Sequence, residues 1–316
     1  MKILVFGAKG MLGHDLMNVF TAPGYEIIGL DKQEVDITDK FAAQNRIHEI
    51  APDFVINAAA YTAVDDCETN IDTANLVNGS AVGFIAEACK KYGSGLVHIS
   101  TDYVFDGNSK VGYKEDDSPN PINAYGKSKL LGEQELLRAM ADNAKGGGVE
   151  IGADTKIGDV KSGGAEARDT NINSSKNAKY YLVRTSWLYG VNGKNFVDTI
   201  INLGQSKPEL NVVNDQIGKP TFTFDLAKAI KDLIESGFPS GIYHLVNENH
   251  LSWYDFTLEI FGLLNIKTPV RPVDSNSFPR PAKRPKCSIL INNKRPHLRD
   301  HFDALKNYLG IKYGLR

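Results

Sequence analysis

The chain is poor in cysteine, tryptophan and methionine, with three, two and four residues among 316. Cys67, Cys89 and Cys287 lie far apart and follow neither a Cys-x-x-Cys nor a zinc-type spacing. That excludes a disulfide-stapled scaffold and a cysteine zinc site, and it suits a reducing compartment. No apolar run reaches the length of a membrane span. An excess of one charge is lacking too: 36 Lys and Arg face 38 Asp and Glu, for a formal net charge of −2. Nucleic acid and anionic membrane are therefore not expected partners, and a phosphate-bearing ligand has to be held by local geometry. The opening residues Lys2 to Phe6 form a strand-like run into Gly7, with no charged leader or cleavage site. The expected location is cytoplasmic.

Short apolar, β-branched runs at 3–6, 26–30, 53–58, 95–100 and 180–185 predict strands, continuous in hydrophobicity as in a parallel sheet covered on both faces. Helical patterns at 11–20, 75–92 and 124–140 fall between them. This alternation predicts an α/β, doubly wound, parallel Rossmann-type sheet with right-handed crossovers. The dinucleotide-binding domain is expected over 1–190. It carries an atypical insertion at 142–177, rich in Gly, Ser, Asn, Asp and Lys, read as a surface excursion. Residues 191–316 are expected to form mainly a smaller C-terminal substrate lobe, part of it returning to the first domain. Helices are expected there near 195–203, 224–235 and 253–264, with a strand-like run at 242–246.

The first βα turn reads Gly7-Ala8-Lys9-Gly10-Met11-Leu12-Gly13. A dinucleotide turn needs glycine for the tight bend, for approach of the pyrophosphate and for close helix packing, and the helix start offers free amides to the anion. The same residues also suit an ordinary strand-to-helix turn. Asp31, at the end of the second strand, is placed to accept bonds from ribose hydroxyls and favours NADH. Lys9 and Lys32 would suit the 2′-phosphate of NADPH, so the signals conflict. Asp36 and Ile37 are expected at the adenine, and Asn57, Ala58 and Ala59 under the ribose or adenine, where small side chains serve sheet packing equally well.

Tyr125 and Lys129 lie four apart, on one face of the predicted 124–140 helix. A phenol is a poor acid near neutrality unless a nearby cation lowers its pKa, which Lys129 and an oxidised nicotinamide are both expected to do. Thr101, closing the 95–100 strand, can polarise the same carbonyl or simply cap a turn. Tyr308 and Lys312 repeat the Tyr-x-x-x-Lys spacing but follow no nucleotide-fold strand, so position favours Tyr125.

Four stretches stand in order: Thr101-Asp102-Tyr103-Val104-Phe105-Asp106-Gly107, Tyr125-Gly126-Lys127-Ser128-Lys129, Arg184-Thr185-Ser186-Trp187 and Asn214-Asp215-Gln216-Ile217-Gly218-Lys219-Pro220-Thr221. Together they resemble the extended short-chain dehydrogenase/reductases and, more narrowly, the dTDP-4-dehydrorhamnose reductases, over nearly the whole chain outside 142–177. The resemblance implies NADPH or NADH as cofactor, a nucleotide sugar reduced at its C4 ketone, and Thr101, Tyr125 and Lys129 as catalytic residues. It also implies Tyr103 and Trp187 at the sugar, and a divalent cation such as Mg2+ at the contact of a homodimer. Spacing does not place the cation's ligands, Asp15 being one candidate. Trp187 also suits a core position. Arg284 would meet a diphosphate by bidentate bonding or belong to a solvated basic loop. Alternatives are a sugar-nucleotide epimerase or dehydratase, or a non-catalytic nucleotide-binding regulatory subunit. Dehydratases of this superfamily carry Asp-Glu after the catalytic Thr; here the pair is Asp102-Tyr103.

Overall fold

Six strands carry the architecture of the computed structural model, which describes residues 1–141, 178–294 and 296–315. The stretch expected as an insertion, 142–177, lies outside the described residues. In chain order the strands are β1 (Lys2–Phe6), β2 (Glu26–Leu30), β3 (Phe54–Asn57), β4 (Gly95–Thr101), β5 (Tyr180–Thr185), β6 (Leu188–Tyr189), β7 (Leu210–Val213), β8 (Ile217–Gly218), β9 (Thr221–Phe222), β10 (Gly241–His244), β11 (Leu251–Ser252) and β12 (Val270–Val273). The central sheet runs β10-β5-β4-β3-β1-β2, with every pair parallel. Chain order reverses between β1 and β3. In such sheets a crevice opens there, beyond the carboxyl ends of the strands. Register sets one row across the sheet, Leu30 beside Phe6, Phe6 beside Asn57, Asn57 beside His98 and His98 beside Leu182, and β4 and β5 run three residues beyond it to the pair Thr101 and Thr185.

The longer helices are α1 (Met11–Val19), α2 (Lys40–Ile50), α3 (Ile71–Asn75), α4 (Ala81–Tyr92), α5 (Ala124–Met140), α6 (Phe196–Ser206), α7 (Thr223–Glu235), α8 (Trp253–Leu264) and α9 (His301–Tyr313). Strands with apolar side chains on both faces need helices on both faces, and they have them. Leu12 and Leu16 of α1 join Leu226 and Ile230 of α7 against Ile3, Val5 and Val183. On the opposite face Ile47 of α2, Val82 and Ile85 of α4 and Leu136 of α5 cover Leu4, Val55 and Leu96. Each fully buried aliphatic side chain contributes about 1.5–3 kcal/mol. Strand β10 and helix α7 come from beyond residue 190, yet they complete this sheet and its cover.

A second, smaller core joins Val197 and Ile201 of α6, Phe256 and Ile260 of α8, and Leu305 and Tyr308 of α9. The spacing repeated at Tyr308 and Lys312 is structural. Both side chains, with Tyr313, converge on the carboxylate of Asp198 in α6. Among the described residues no helix is long and apolar enough to cross a membrane.

Candidate active site

Gly7 leaves β1 with φ +78°, and a Cβ there would meet the Ala59 backbone nitrogen at 2.7 Å. A Cβ on Gly13 would stand 2.1 Å from the Gly7 carbonyl oxygen. The turn is thus pressed between the end of β3 and the first turn of α1, and only glycine fits. Gly10 caps α1 without a side-chain acceptor. Helix geometry gives the first amides, those of Met11, Leu12 and Gly13, no intrahelical partner, and these residues line the crevice. That is an anion cradle.

Two cavities adjoin across this turn, sharing Gly10, Ala58 and Ala60. The first, about 240 Å³, is lined by Gly7, Asp31, Asp36, Ile37, Ala58 and Ala59 among others. The second, about 400 Å³, brings Thr101, Tyr125, Lys129 and Trp187 to the mouth of the glycine turn. Polar recognition at one end, an amide cradle in the middle and hydroxyl and amine groups at the other end fit an extended dinucleotide.

Thr101 ends β4. Its hydroxyl accepts the Tyr103 amide at 3.2 Å and donates to Asp102 at 3.0 Å, so it caps a turn and faces the cavity at once. Tyr125 enters from the first turn of α5, whose start is pinned twice. Asn123 accepts the Gly126 amide at 2.7 Å, and Glu68 accepts the Ala124 amide at 2.8 Å. Lys129, one turn on, is buried and donates to the Ile99 carbonyl at 2.6 Å.

Burial governs the electrostatics. It pushes the Tyr125 phenol up, with the Thr101 hydroxyl opposing and Asp102 and Cys67 adding to the rise. The expectation that Lys129 lowers this phenol is corrected: its ammonium is turned to a backbone carbonyl, and desolvation wins. Burial brings Lys129 down to about 8 against the pull of Glu133. Asp102 is raised to about 7 by burial, with Ser288 and Thr101 opposing.

Trp187 is half-buried and lines the larger cavity. It has φ +47°, a left-handed conformation that bulky residues avoid. Its ring stacks on Trp253 at 3.4 Å between centroids and 6° between planes, forming one wall of the larger cavity. Tyr103 packs edge-on to Tyr125 at 5.7 Å.

Several expected contacts fall elsewhere. Asn57 is fully buried beneath the groove, holding the Ala59 amide at 3.2 Å and the His98 ring at 3.3 Å, and so shapes the turn instead of lining it. Arg284 turns its Nη1 to Asp65 and to the Ala282 carbonyl, which ties its segment to the residues around Asp65. Asp15 is buried and accepts the Thr223 hydroxyl at 2.5 Å, a partner that occupies it inside the α1–α7 contact. No group of three His, Cys, Asp or Glu able to hold a metal occurs among the described residues.

Asn78 is a residue the sequence reading missed. It lies in a π turn, Leu76–Ser80, joining α3 to α4. Its amide clamps the Tyr61 backbone at 2.8 and 3.0 Å and donates to Ser128 at 3.0 Å, bracing α5 between Tyr125 and Lys129. π turns gather at functional sites, but nothing in the local sequence announces this one.

Sheet order, glycine turn and the Tyr125/Lys129 helix define an extended short-chain dehydrogenase/reductase fold. The family model described as RmlD substrate binding domain matches residues 1–144 and 165–307, and the chain belongs to that family. It is 37% identical over 314 residues to the spore coat polysaccharide biosynthesis protein SpsK of Bacillus subtilis, covering 98% of this chain and 96% of that protein. A dTDP-4-dehydrorhamnose reductase of Aggregatibacter actinomycetemcomitans is 35% identical, over 92% and 90% of the two chains. Among solved structures, a dTDP-4-dehydrorhamnose reductase ortholog of Clostridium acetobutylicum matches with TM-score 0.84 and 39% identity, covering 98% and 99%. The Bacillus anthracis dTDP-4-dehydrorhamnose reductase in complex with NADP matches with TM-score 0.83 and 35% identity, covering 98% of each chain.

Proposed function

We propose that the chain reduces the C4 ketone of dTDP-4-keto-6-deoxy-L-lyxo-hexulose with NADH or NADPH, giving dTDP-L-rhamnose. The observation that carries this reading is one cavity that joins the α1 amides, Thr101, Tyr125, Lys129 and Trp187. When bound, the reduced nicotinamide supplies the hydride to C4. The α1 amides hold the pyrophosphate, Asp31 the adenosine ribose, and the Lys129 ammonium the ribose next to the reactive ring. Tyr125 donates its phenolic proton to the ketone oxygen, while the Thr101 hydroxyl bonds that same oxygen. A phenol pushed up by burial stays protonated near neutrality, which suits a proton donor in the reductive direction. Trp187 and Tyr103 wall the sugar. Asp102-Tyr103 puts an aromatic ring where elimination would want a second carboxylate, and this favours reduction over dehydration.

The test is loss of nicotinamide absorbance when purified chain meets the freshly epimerised keto sugar nucleotide, with each reduced cofactor in turn. Turnover with at least one is expected; silence with both would leave a nucleotide-binding regulator as the better reading. A pH profile adds a second check. Lys129 is brought down from its ordinary 10.5 to about 8, so its ammonium persists below that pH and is lost above it. The free-enzyme kcat/KM is therefore expected to decline above about pH 8 with the slope of one proton lost. A flat profile to pH 10 would take the ammonium out of the mechanism.

A further inference from the structure

The end of β2 makes an acidic corner in the first cavity. Asp31 is fixed there by two backbone donors, the Lys9 amide at 3.1 Å and the Lys32 amide at 2.8 Å, one to each oxygen. Among the described residues its carboxylate forms no ion pair, while each nearby ammonium has another carboxylate partner. Lys9, which the sequence offers to a 2′-phosphate, is already engaged: its ammonium donates to Glu34 Oε1 at 2.7 Å. The other oxygen of Glu34 accepts the Asp31 amide at 3.0 Å, which ties Glu34 to the corner from both sides. Lys32 leans toward Asp36 at 3.8 Å. Three carboxylates thus face two ammoniums, and each ammonium already has a carboxylate.

We propose that Glu34 is a specificity-determining residue which cancels Lys9 and tilts the groove toward the dinucleotide without a 2′-phosphate, NADH over NADPH. The inference rests on the dinucleotide reading above. Ribose hydroxyls can donate to the Asp31 carboxylate. A 2′-phosphate brings only acceptor oxygens and close to two negative charges, against carboxylates that are acceptors as well. It would have to take Lys9 from Glu34. Both side chains of that pair are largely exposed, at 58% and 40%, so the pair is breakable and the outcome is a bias, not an exclusion. The chain would then differ in emphasis from its Bacillus anthracis relative, whose structure is a complex with NADP.

The experiment measures dissociation constants of NADH and NADPH by nicotinamide fluorescence at low salt. It uses the full chain and its Glu34→Gln, Lys9→Met and doubly substituted forms. The wild-type chain is expected to bind NADH more tightly. Glu34→Gln is expected to lower the NADPH/NADH ratio of dissociation constants by about 1.5-fold to fivefold, the range for one exposed charge contact. Adding Lys9→Met to it should restore the ratio, and 1 M salt should shrink the whole effect. NADPH binding as tightly as NADH to the wild-type chain, or a ratio that Glu34→Gln leaves in place, overturns the proposal. Binding of neither dinucleotide to folded protein overturns the cofactor reading itself.

Discussion

Tyr125→Phe is expected to lower turnover by about 10²–10⁴-fold, the usual contribution of a positioned general acid. Dinucleotide affinity should stay close to that of the parent chain, because the hydroxyl acts mainly as the ketone oxygen gains charge. The local structure makes this a clean substitution. The α5 start is held by Asn123 and Glu68 through backbone amides, and the Tyr125 ring keeps its edge-on neighbour Tyr103. None of these contacts needs the phenolic oxygen. The comparison that gives the result meaning is Tyr308→Phe, the same change at the second Tyr-x-x-x-Lys. There the hydroxyl donates to Asp198 inside the smaller core, so the cost should appear in stability with turnover retained. Steady-state kinetics and urea unfolding of both variants separate the two. Near-normal turnover in Tyr125→Phe would remove the phenol from the chemistry.

The contrast between those two tyrosines shows how much of the molecule is legible in its sequence. Spacing alone did not separate them; the preceding strand did, because a strand ending in Thr101 delivers a helix start to the carboxyl edge of the sheet and α9 has no such strand. The central strands were legible because burial on both faces writes continuous apolar runs. Helix α2 is hard to read for the opposite reason: it buries only Ala43 and Ile47, too thin a stripe. Helix α9 carries a legible stripe. Its buried residues His301, Ala304, Leu305, Tyr308 and Leu309 fall at successive three- and four-residue steps. The turn glycines Gly7, Gly10 and Gly13, with Asp31, Asp36, Ile37 and the Tyr125–Lys129 pair, belong to local patterns, and all of them line the two cavities. The partners of Arg284 and Asn57, Asp65 and His98, lie 219 and 41 residues away in the chain, so no local pattern announces these contacts. A side chain's chemistry suggests ligands, but long-range pairing decides whether it is free to meet one.

Breaking the buried pair behind the site is expected to have the largest effect on stability. Arg184 of β5 donates to Glu133 of α5 through Nη2 at 2.7 Å and Nε at 3.0 Å, and Ser100 of β4 donates to the same carboxylate at 2.6 Å. Both charged side chains are only 2% exposed. The guanidinium also lies 5.0 Å from the centre of the Phe105 ring. Removing one partner strands the other charge in a low-dielectric interior, so Arg184→Met or Glu133→Leu alone should cost about 3–5 kcal/mol in urea unfolding. The double variant should cost much less than the sum, because two apolar chains of similar volume can fill the space. Catalysis should not recover with it. Glu133 lies one turn beyond Lys129, ties α5 to β4 and β5, and holds the lysine's charge against desolvation. The double variant is therefore expected to fold well while its kcat/KM starts to fall at a lower pH than in the parent chain. Additive stability losses would show that the pair is not coupled, and an unmoved pH profile would show that it packs the helix without tuning the lysine.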